Sequence, residues 1–334
     1  MRVLITGGSG FIGSFLSHEM SRKGWQVRIL DSNDASKGIP ELTGFDCIIS
    51  DILDFHAALD AMKDVDLVIH LAAKHRFFGI SEAEFYRVNV EGTKNILNAA
   101  SKTGIKNIIF YSSVAVYGDQ SAPTDEQTEP QPGTPYGITK LEAEKLIYKW
   151  SSEAGGRNAL IIRPTVVFGP GNKGNIYRLM RQIDKRLYIP VGNGDNIKSV
   201  AYVENLVAAT LFLLDKGFKG VEVYNYADEP HMSFKEIVNL VYRLLKRPAP
   251  KFALPAKFIL TALKPVGFMA KISGITFPVS DAIIKMNKST HHTAKKIRTA
   301  GFQQIYTLEE GMRQMIVWYK ENKETKKLQG EEDE

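Results

Sequence analysis

The sequence predicts an α/β protein in which a doubly wound parallel sheet is followed by a smaller C-terminal lobe. Short runs rich in Val and Ile alternate with stretches of helical periodicity through the first half of the 334-residue chain. The runs are apolar throughout, and the helices between them are long enough to cross from one strand to the next. Both features are typical of a parallel sheet that is covered on both faces.

The predicted strands are short and bounded by turn residues. Six lie in the first half of the chain, at residues 2–6, 26–31, 46–51, 66–73, 107–113 and 158–165. Helical periodicity is clearest at residues 85–102 and 136–154. A helix at 203–214 and a strand at 221–227 are expected to return to the sheet. A capping box opens a last helix that runs through Trp318.

These elements divide the chain into two parts and a tail. We assign residues 1–168 to the domain that contains the sheet, with residues 197–227 returning to it. Residues 169–196 and 228–322 are assigned to the smaller lobe, which we expect to bind the substrate. Residues 323–334 are rich in Lys and Glu, so we expect a flexible, charged tail.

Composition and charge exclude several classes of protein. The chain is 44% hydrophobic and 24% charged, as ordinary globular proteins are, which argues against disordered or collagen-like chains. Its net charge is +6, but between Lys246 and Arg298 eleven basic residues face the single acid Asp281. An anionic partner is therefore expected in this region. We do not expect nucleic acid to be that partner.

Cys47 is the only cysteine, so disulfides and multi-cysteine metal centres are excluded. It lies in an apolar run, where we expect it to be buried. The chain starts directly in a strand, without the pattern of a secretory signal, and has no stretch of 18 uncharged apolar residues. These features predict a cytoplasmic protein, and we expect no metal site.

A glycine-rich motif follows the first strand and begins a helix. It reads Gly7-Gly8-Ser9-Gly10-Phe11-Ile12-Gly13. Glycines permit a tight turn and let the backbone approach a pyrophosphate, which the amide N–H groups of the helix N-terminus then hold. Asp31, at the end of the second strand, would accept hydrogen bonds from ribose hydroxyls and repel a 2′-phosphate. Together they predict a dinucleotide site that favours NAD over NADP.

A tyrosine and a lysine four residues apart form a second candidate site. Tyr136 and Lys140 share one face of a predicted helix. A free tyrosine has a pKa of about 10, and a nearby cation favours the phenolate, so the pair suits a base that acts near neutrality. Ser113, which we favour over Ser112, ends the fifth strand, where its hydroxyl could bind the same substrate oxygen. Ser113, Tyr136 and Lys140 are the predicted catalytic residues.

The order of these motifs resembles the extended short-chain dehydrogenase/reductase superfamily over nearly the whole chain. Within it the sequence is similar to the NAD-dependent epimerase/dehydratase family. The resemblance implies a Rossmann fold, NAD as the cofactor and a homodimer that forms through a helix bundle including residues 136–154. The cofactor-binding residues that it implies are Gly7, Gly10, Phe11, Ile12, Gly13, Asp31, Asp51, Ile52, Leu71, Ala72, Ala73, Asn89, Tyr136, Lys140 and Pro164.

The same resemblance assigns a role to several of these positions. Asp51 and Ile52 match a pair that contacts the adenine, and residues 71–73 match a strand end beside the cofactor. Asn89 matches a structural asparagine before a long helix, and Pro164 belongs to a loop that reaches the nicotinamide.

The expected absence of two catalytic side chains restricts the class of reaction within this family. Sugar-nucleotide 4,6-dehydratases and related decarboxylases carry a carboxylate just after the strand-end hydroxyl, whereas this chain has Val114-Ala115-Val116. The thiol of a four-electron sugar dehydrogenase is not expected, because Cys47 lies in a predicted buried strand. Epimerisation or simple keto/alcohol redox chemistry remains.

The region after the sixth strand restricts the class of substrate that the chain is expected to bind. It is similar to bacterial 4-epimerases that act on N-acetylglucosamine linked through diphosphate to undecaprenol, and to UDP-N-acetylglucosamine 4-epimerases. The similarity implies a 4-epimerase of GlcNAc or GalNAc on one of these carriers, in surface polysaccharide (O-antigen) synthesis. The substrate-binding residues that it implies are His75, Arg76, Asn175, Arg178 and Lys198. Lys198 stands where many UDP-sugar epimerases have an arginine, and it offers a point charge in place of a bidentate fork.

Other functions stay open at this point. An NDP-4-keto-sugar reductase would consume NADH or NADPH, and Asp31 argues against NADPH. An alcohol dehydrogenase of the steroid or flavonoid type suits the Lys-, Arg- and Asn-rich lobe less well. A non-catalytic NAD-binding scaffold or sensor would not need the intact Ser113, Tyr136 and Lys140 set.

The basic stretch has two interpretations. Residues 256–275 are apolar except for Lys257, Lys264 and Lys271, whose spacing of seven places them near one helical face. Such a surface suits an anionic bilayer, which predicts peripheral contact with the inner face of the cell membrane. The alternative is a lid that packs its apolar face on the lobe.

Overall fold

The computed structural model describes residues 1–33, 42, 44–75, 79–120, 123–250, 252–261, 284 and 286–328, with side chains to residue 323. The chain divides into two compact units. The first contains Met1–Val167, Ala201–Ala227 and His292–Ile305. The second contains Phe168–Val200, Asp228–His291 and Tyr306–Glu334.

The strands are β1 (Arg2–Thr6), β2 (Gln26–Asp31), β3 (Asp46–Ile49), β4 (Leu67–His70), β5 (Asn107–Tyr111), β6 (Asn158–Pro164), β7 (Val166–Phe168), β8 (Ile197–Lys198), β9 (Val200–Tyr202), β10 (Val221–Tyr226) and β11 (Met232–Ser233). Seven of them form the parallel sheet of the first unit, in the order β10-β6-β5-β4-β1-β2-β3. The strand order reverses between β1 and β4, which is where sheets of this kind bind ligands.

The helices of the first unit are α1 (Phe11–Arg22), α2 (Phe55–Ala61), α3 (Glu82–Tyr86), α4 (Gly92–Thr103), α5 (Pro135–Ser152), α7 (Val203–Lys216) and α9 (Lys295–Thr299). Those of the second are α6 (Asn175–Asp184), α8 (Phe234–Leu244) and α10 (Leu308–Leu328). A π-helical turn at Arg87–Glu91 joins α3 to α4, and a 3₁₀ turn covers Val114–Tyr117. Within the described part of the chain, no helix is long and apolar enough to cross a membrane.

The predicted doubly wound fold is confirmed. Every residue of β4 is buried, and so are four of the five residues in each of β1 and β5. Strands that are buried along their length need helices on both faces, and α4 and α5 supply part of that cover through Ile96, Leu97, Ile147 and Trp150.

Cys47 is exposed, so the prediction that it is buried is wrong. It lies on β3, which forms one edge of the sheet. An edge strand has a neighbour on one side only, and three of the four β3 residues are exposed. The argument against a catalytic thiol now rests on position, since β3 lies at the edge of the sheet and Ser113 follows β5 near its middle.

The helix predicted at 85–102 is divided by the π-helical turn, whose third residue is Asn89. The last helix continues to Leu328, ten residues beyond Trp318, so the first part of the expected flexible tail is helical. Lys and Glu are good helix formers. In addition, the Lys323 ammonium group lies 2.7 Å from the carboxylate of Asp184 and ties this end of α10 to α6.

Residues 292–305 pack with the first unit, whereas the sequence assigned them to the smaller lobe. The buried His292 lies 2.6 Å from the hydroxyl of Thr124 through its Nδ1. Farther along, the guanidinium of Arg298 donates to the carbonyl oxygen of Ala227 at 3.1 Å. These contacts hold residues 292–305 against Thr124 and Ala227, which belong to the first unit, and explain why the segment packs with that unit. Arg76, Lys264 and Lys271 lie outside the described residues.

A buried ion pair connects α5 to β6. The guanidinium of Arg163 donates to the carboxylate of Glu144 through two nitrogens, at 2.9 and 2.5 Å. It also donates to the phenol oxygen of Tyr117 at 2.8 Å, and that hydroxyl donates to the side-chain oxygen of Asn225 on β10. Because Glu144 and Arg163 are almost fully buried, each charge depends on the other for compensation.

We expect Glu144→Gln to lower the free energy of unfolding by about 3 kcal/mol or more, because it leaves the Arg163 charge buried without its partner. The measurement is urea unfolding followed by circular dichroism. Glu142→Gln on the same helix is the control, since Glu142 pairs with Lys145 at the surface. Its effect should stay under about 0.5 kcal/mol. Equal effects of the two substitutions would contradict the role given to the buried pair.

Candidate active site

The glycine loop joins β1 to α1 through a tight turn. Gly7 has a φ of 71°, in the left-handed region that favours glycine. A Cβ atom on Gly13 would lie 2.4 Å from the carbonyl oxygen of Gly7, so α1 can approach the loop only with glycine there. Gly10 precedes α1 without a side-chain cap, which leaves the first amide N–H groups of the helix available to an anion.

Asp31 ends β2 beside this loop and is buried. Its carboxylate accepts hydrogen bonds from the backbone N–H of Ser9 at 3.1 Å and of Asn33 at 3.0 Å. The hydroxyl oxygen of Ser9 is also buried, and among the described residues it has no hydrogen-bond partner. A fixed carboxylate and an unsatisfied hydroxyl beside open amide groups fit the ribose and pyrophosphate of NAD.

The other predicted cofactor residues surround the same end of the sheet. A Cβ atom on Gly7 would lie 2.7 Å from the backbone nitrogen of Ala72, so the segment that begins at Leu71 runs directly against the loop. The Cδ1 atom of Ile52 would lie 2.5 Å from a Cβ atom on Gly92, which places Ile52 against the start of α4. Ile52 and Ala72 therefore lie just beyond the carboxyl ends of the parallel strands β3 and β4.

Tyr136 lies in the first turn of α5. Thr134 caps this helix by accepting a hydrogen bond from the N–H of Gly137 at 3.2 Å, and Pro135 takes the first helical position. Burial raises the pKa of Tyr136 to about 12, while a hydrogen bond with Ser113 acts in the opposite direction. The hydroxyl of Ser112 is buried and has no partner among the described residues. The choice of Ser113 over Ser112 agrees with this geometry.

Lys140 lies one turn farther along α5 and is buried. Its ammonium group donates to the carbonyl oxygen of Tyr111 at 2.7 Å and lies 4.8 Å from the centre of the Phe110 ring. Burial lowers the pKa of Lys140 to about 7, and the negative charge of Glu144 opposes that shift. We expected Lys140 to lower the pKa of Tyr136. In the structure burial dominates at the phenol and moves its pKa the other way.

A chain of buried hydrogen bonds runs from β1 toward α5, and the sequence analysis missed most of it. The hydroxyl of Thr93 donates to the carbonyl oxygen of Asn89 at 2.6 Å, so it accepts from Nε2 of His70 at 2.9 Å. Nδ1 of His70 is then the acceptor for the hydroxyl of Thr6, at 2.6 Å. Burial lowers the pKa of His70 to about 3, which agrees with a neutral ring of this tautomer.

Asn89 carries the chain from there to α5. Its side-chain oxygen accepts from the N–H of Lys74 at 2.7 Å, and its nitrogen donates to the carbonyl oxygen of Lys74 at 3.0 Å. The same nitrogen donates to the hydroxyl of Thr139 at 3.0 Å, and that hydroxyl donates to the carbonyl oxygen of Tyr136. Asn89 therefore fixes both the segment after β4 and the first turn of α5.

The predicted substrate residues lie in two places. His75 is exposed on the segment after β4, in the first unit. Asn175 and Arg178 lie on the exposed side of the first turn of α6, in the second unit. Lys198, on β8 of the second unit, is half-buried and donates to the carbonyl oxygen of Lys288. Burial lowers the pKa of Lys198 to about 8, so its ammonium form still predominates at neutral pH.

Comparison with known proteins shows which family the chain belongs to. Residues 3–227 match the profile of the NAD dependent epimerase/dehydratase family. The chain is 38% identical over 312 residues to the N-acetyl-alpha-D-glucosaminyl-diphospho-ditrans,octacis-undecaprenol 4-epimerase of Escherichia coli O157:H7, covering 93% of this chain and 92% of that protein. It is 28% identical to the UDP-glucose 4-epimerase of Vibrio cholerae, with 93% of each chain covered.

Solved structures show the same architecture. MoeE5 in complex with UDP-glucuronic acid and NAD superimposes with a TM-score of 0.76 at 26% identity, over 96% of this chain and 100% of that one. The UDP-glucuronic acid 4-epimerase of Bacillus cereus in complex with NAD gives a TM-score of 0.78 at 22% identity, over 96% and 99% of the two chains, and shows the shared fold. The chain is therefore a member of the NAD dependent epimerase/dehydratase family.

Proposed function

We propose that this chain is an NAD-dependent 4-epimerase of a diphosphate-linked N-acetylhexosamine, which interconverts GlcNAc and GalNAc on undecaprenyl diphosphate or UDP. The observation that carries the proposal is the pairing of Tyr136 with Ser113 at the end of β5, one helical turn before the buried Lys140. The 38% identity to an epimerase of the lipid-linked sugar supports the choice of substrate.

In this proposal the side chains of the first unit move one proton and hold one oxygen. Tyr136 takes the proton of the C4 hydroxyl and later returns it, while the hydroxyl of Ser113 donates a hydrogen bond to the same oxygen. NAD, when bound, supplies the hydride acceptor and donor and, in its oxidised form, a positive charge that favours phenolate. No carboxylate follows Ser113 to drive an elimination, since the next residues are Val114-Ala115-Val116.

The pKa values explain why the cofactor charge matters. With the phenol pKa near 12 and the lysine pKa near 7, Tyr136 is a neutral phenol at neutral pH and Lys140 is only partly protonated. The phenolate form of Tyr136 therefore needs a neighbouring cation to form at neutral pH. The site therefore becomes strongly basic only when positive charge is added beside it.

Lys198 and Arg178 are the cations assigned to the diphosphate in this proposal. Lys198 is a point charge held by Lys288, and Arg178 is exposed on α6. Lysine can bind phosphate oxygens from many directions, whereas the fork of an arginine fixes one geometry. This tolerance suits a substrate whose carrier differs from a nucleotide.

We propose the biosynthetic role and the cellular location of the enzyme from the same class of substrate. A lipid-linked sugar diphosphate belongs to surface polysaccharide synthesis, such as that of O-antigen, at the cytoplasmic face of the cell membrane. We also propose a homodimer that forms through α5, where Ile138 is 46% exposed; Tyr86, on the neighbouring helix α3, is 50% exposed. Apolar side chains exposed to this extent on neighbouring helices suit a helix-bundle interface.

The proposed substrate is tested by incubating the purified protein with undecaprenyl-diphosphate-GlcNAc or with UDP-GlcNAc, without added reductant. We expect the galacto epimer from the lipid-linked sugar, because NAD is not consumed in an epimerisation. Product from UDP-GlcNAc alone would move the substrate to nucleotide sugars. Product from neither, together with NADH oxidation on a 4-keto sugar, would replace the epimerase by the reductase.

Tyr136→Phe is expected to reduce turnover by about a thousandfold or more, since the proton acceptor is removed while the ring stays in place. NAD affinity, measured by calorimetry, should remain within a few-fold of the unaltered protein. Tyr148→Phe removes a phenol that is 45% exposed on the same helix and serves as the control, with turnover expected to be unchanged. Persistent turnover of Tyr136→Phe would refute the assigned base.

The two lysines with lowered pKa values can be followed through their Nζ resonances in protein labelled with ¹⁵N-lysine. We expect one resonance to titrate near pH 7 and one near pH 8, because burial disfavours the ammonium form of Lys140 and Lys198. Each is charged below its pKa and neutral above it. Lys140→Arg and Lys198→Arg should each remove one of the two resonances. Titration of every lysine near pH 10 would contradict the burial of both groups.

A further inference from the structure

Two segments of the second unit run side by side and carry several exposed apolar side chains. The N–H of Leu254 donates to the carbonyl oxygen of Pro190 at 2.9 Å. The carbonyl oxygen of Leu254 in turn accepts from the N–H of Gly192 at 2.8 Å. These bonds form a parallel bridge between Val191 and Leu254. Paired residues of parallel segments share a face with those two positions away, so this register places Ile189 beside Phe252.

The apolar side chains around this bridge are unusually exposed. Phe252 is 87% exposed, Ile189 62% and Leu254 43%. On the two flanks, Leu187 and Phe258 are each 68% exposed. Single exposed apolar residues are normal on a protein surface, but five large ones on two adjoining segments form a patch that needs an occupant. We call these five residues the apolar patch.

Basic residues and no acids accompany the apolar patch in its two segments. Residues 185–192 contain Lys185 and Arg186, and residues 252–261 contain Lys257; neither segment contains Asp or Glu. Lys185, Arg186 and Lys257 are all exposed. The acid just before the first segment, Asp184, is neutralised by Arg247 and Lys323 at 2.8 and 2.7 Å. The two segments therefore combine exposed apolar side chains with charged residues that are all basic.

We propose that the apolar patch and its basic residues dock the protein on an anionic lipid bilayer. Exposed aromatic and aliphatic side chains enter the boundary between headgroups and acyl chains, while the basic residues remain with the headgroups. A protein partner or second copy would match the patch with a polar rim of both signs. The charged residues of the two segments are all basic, which is the complement of an anionic membrane.

The inference rests on the proposed function for its purpose, since a lipid-linked sugar is presented at a membrane surface. It does not depend on that function physically. Membrane binding needs only the apolar patch and its basic residues, whereas epimerisation needs Tyr136 and its neighbours. The membrane contact predicted from the sequence lies in residues 256–275, most of which are outside the described residues, and does not include Leu187 or Ile189.

The test is co-sedimentation of the full chain with phosphatidylcholine vesicles that contain phosphatidylglycerol, and with vesicles of phosphatidylcholine alone. We expect binding to the anionic vesicles, and we expect it to weaken at high salt. The double variant Phe252→Ser/Phe258→Ser should lower the affinity for these vesicles at least about tenfold, because two aromatic rings no longer leave water on binding. Ile49→Ser/Ile305→Ser is the matched control, since it removes two apolar side chains that are 59% and 64% exposed elsewhere.

Each outcome decides the inference. Binding lost in the patch variant and kept in the control supports it, provided that both variants unfold at the same urea concentration as the unaltered protein. Absence of binding to anionic vesicles, or equal binding by the patch variant, overturns it. Self-association that the patch variant abolishes, seen by sedimentation velocity without vesicle binding, would overturn it in favour of a second copy. Activity on UDP-GlcNAc without vesicles is scored separately, so failure of the epimerase proposal is distinguishable.

Discussion

Helix α5 buries three polar side chains, and the need of each for a partner fixes the helix on the sheet. Thr139 bonds to Asn89, Lys140 to the carbonyl oxygen of Tyr111, and Glu144 to Arg163. A buried polar group without a partner costs on the order of 1–3 kcal/mol, and a charge costs more. The three bonds reach three different elements, so α5 can neither rotate nor slide without breaking one. The position of Tyr136 follows from this constraint.

The same burial sets the electrostatics of the site. Glu144 bonds to the buried guanidinium of Arg163. Its negative charge also raises the pKa of the buried Lys140, against the effect of burial. His70, which adds no charge because its ring is neutral, holds Thr6 and Thr93 without opposing Lys140 further. The site thus combines a helix held by buried hydrogen bonds with a Tyr136 phenol whose pKa is raised. Such a phenol becomes a base only beside added positive charge, which couples proton transfer to the oxidised cofactor.

Sequence patterns predicted the sheet well because its central strands are almost fully buried, and continuous apolar runs indicate burial on both faces. The glycine loop, Asp31 and the Tyr136/Lys140 spacing were visible because each depends on local geometry. Cys47 was misjudged because an edge strand and a central strand can share one apolar pattern. His292 is buried against Thr124, 168 positions earlier in the chain, and its own sequence surroundings do not indicate this. Contacts over such separations leave no local signal.

The hydride-transfer chemistry cannot by itself separate a nucleotide carrier from a lipid carrier, because both present the same hexose to Ser113 and Tyr136. Selection must come from residues that contact the diphosphate and whatever lies beyond it. In the proposed function Lys198 would bind the diphosphate of either carrier, since a single ammonium group imposes no planar geometry. Nucleotide specificity would require a pocket for the base, whereas lipid specificity would require only access to the membrane. The proposed docking of the exposed Phe252 and Ile189 on a bilayer would meet the second requirement, and the choice of carrier would then depend on the protein's surface as much as on its site.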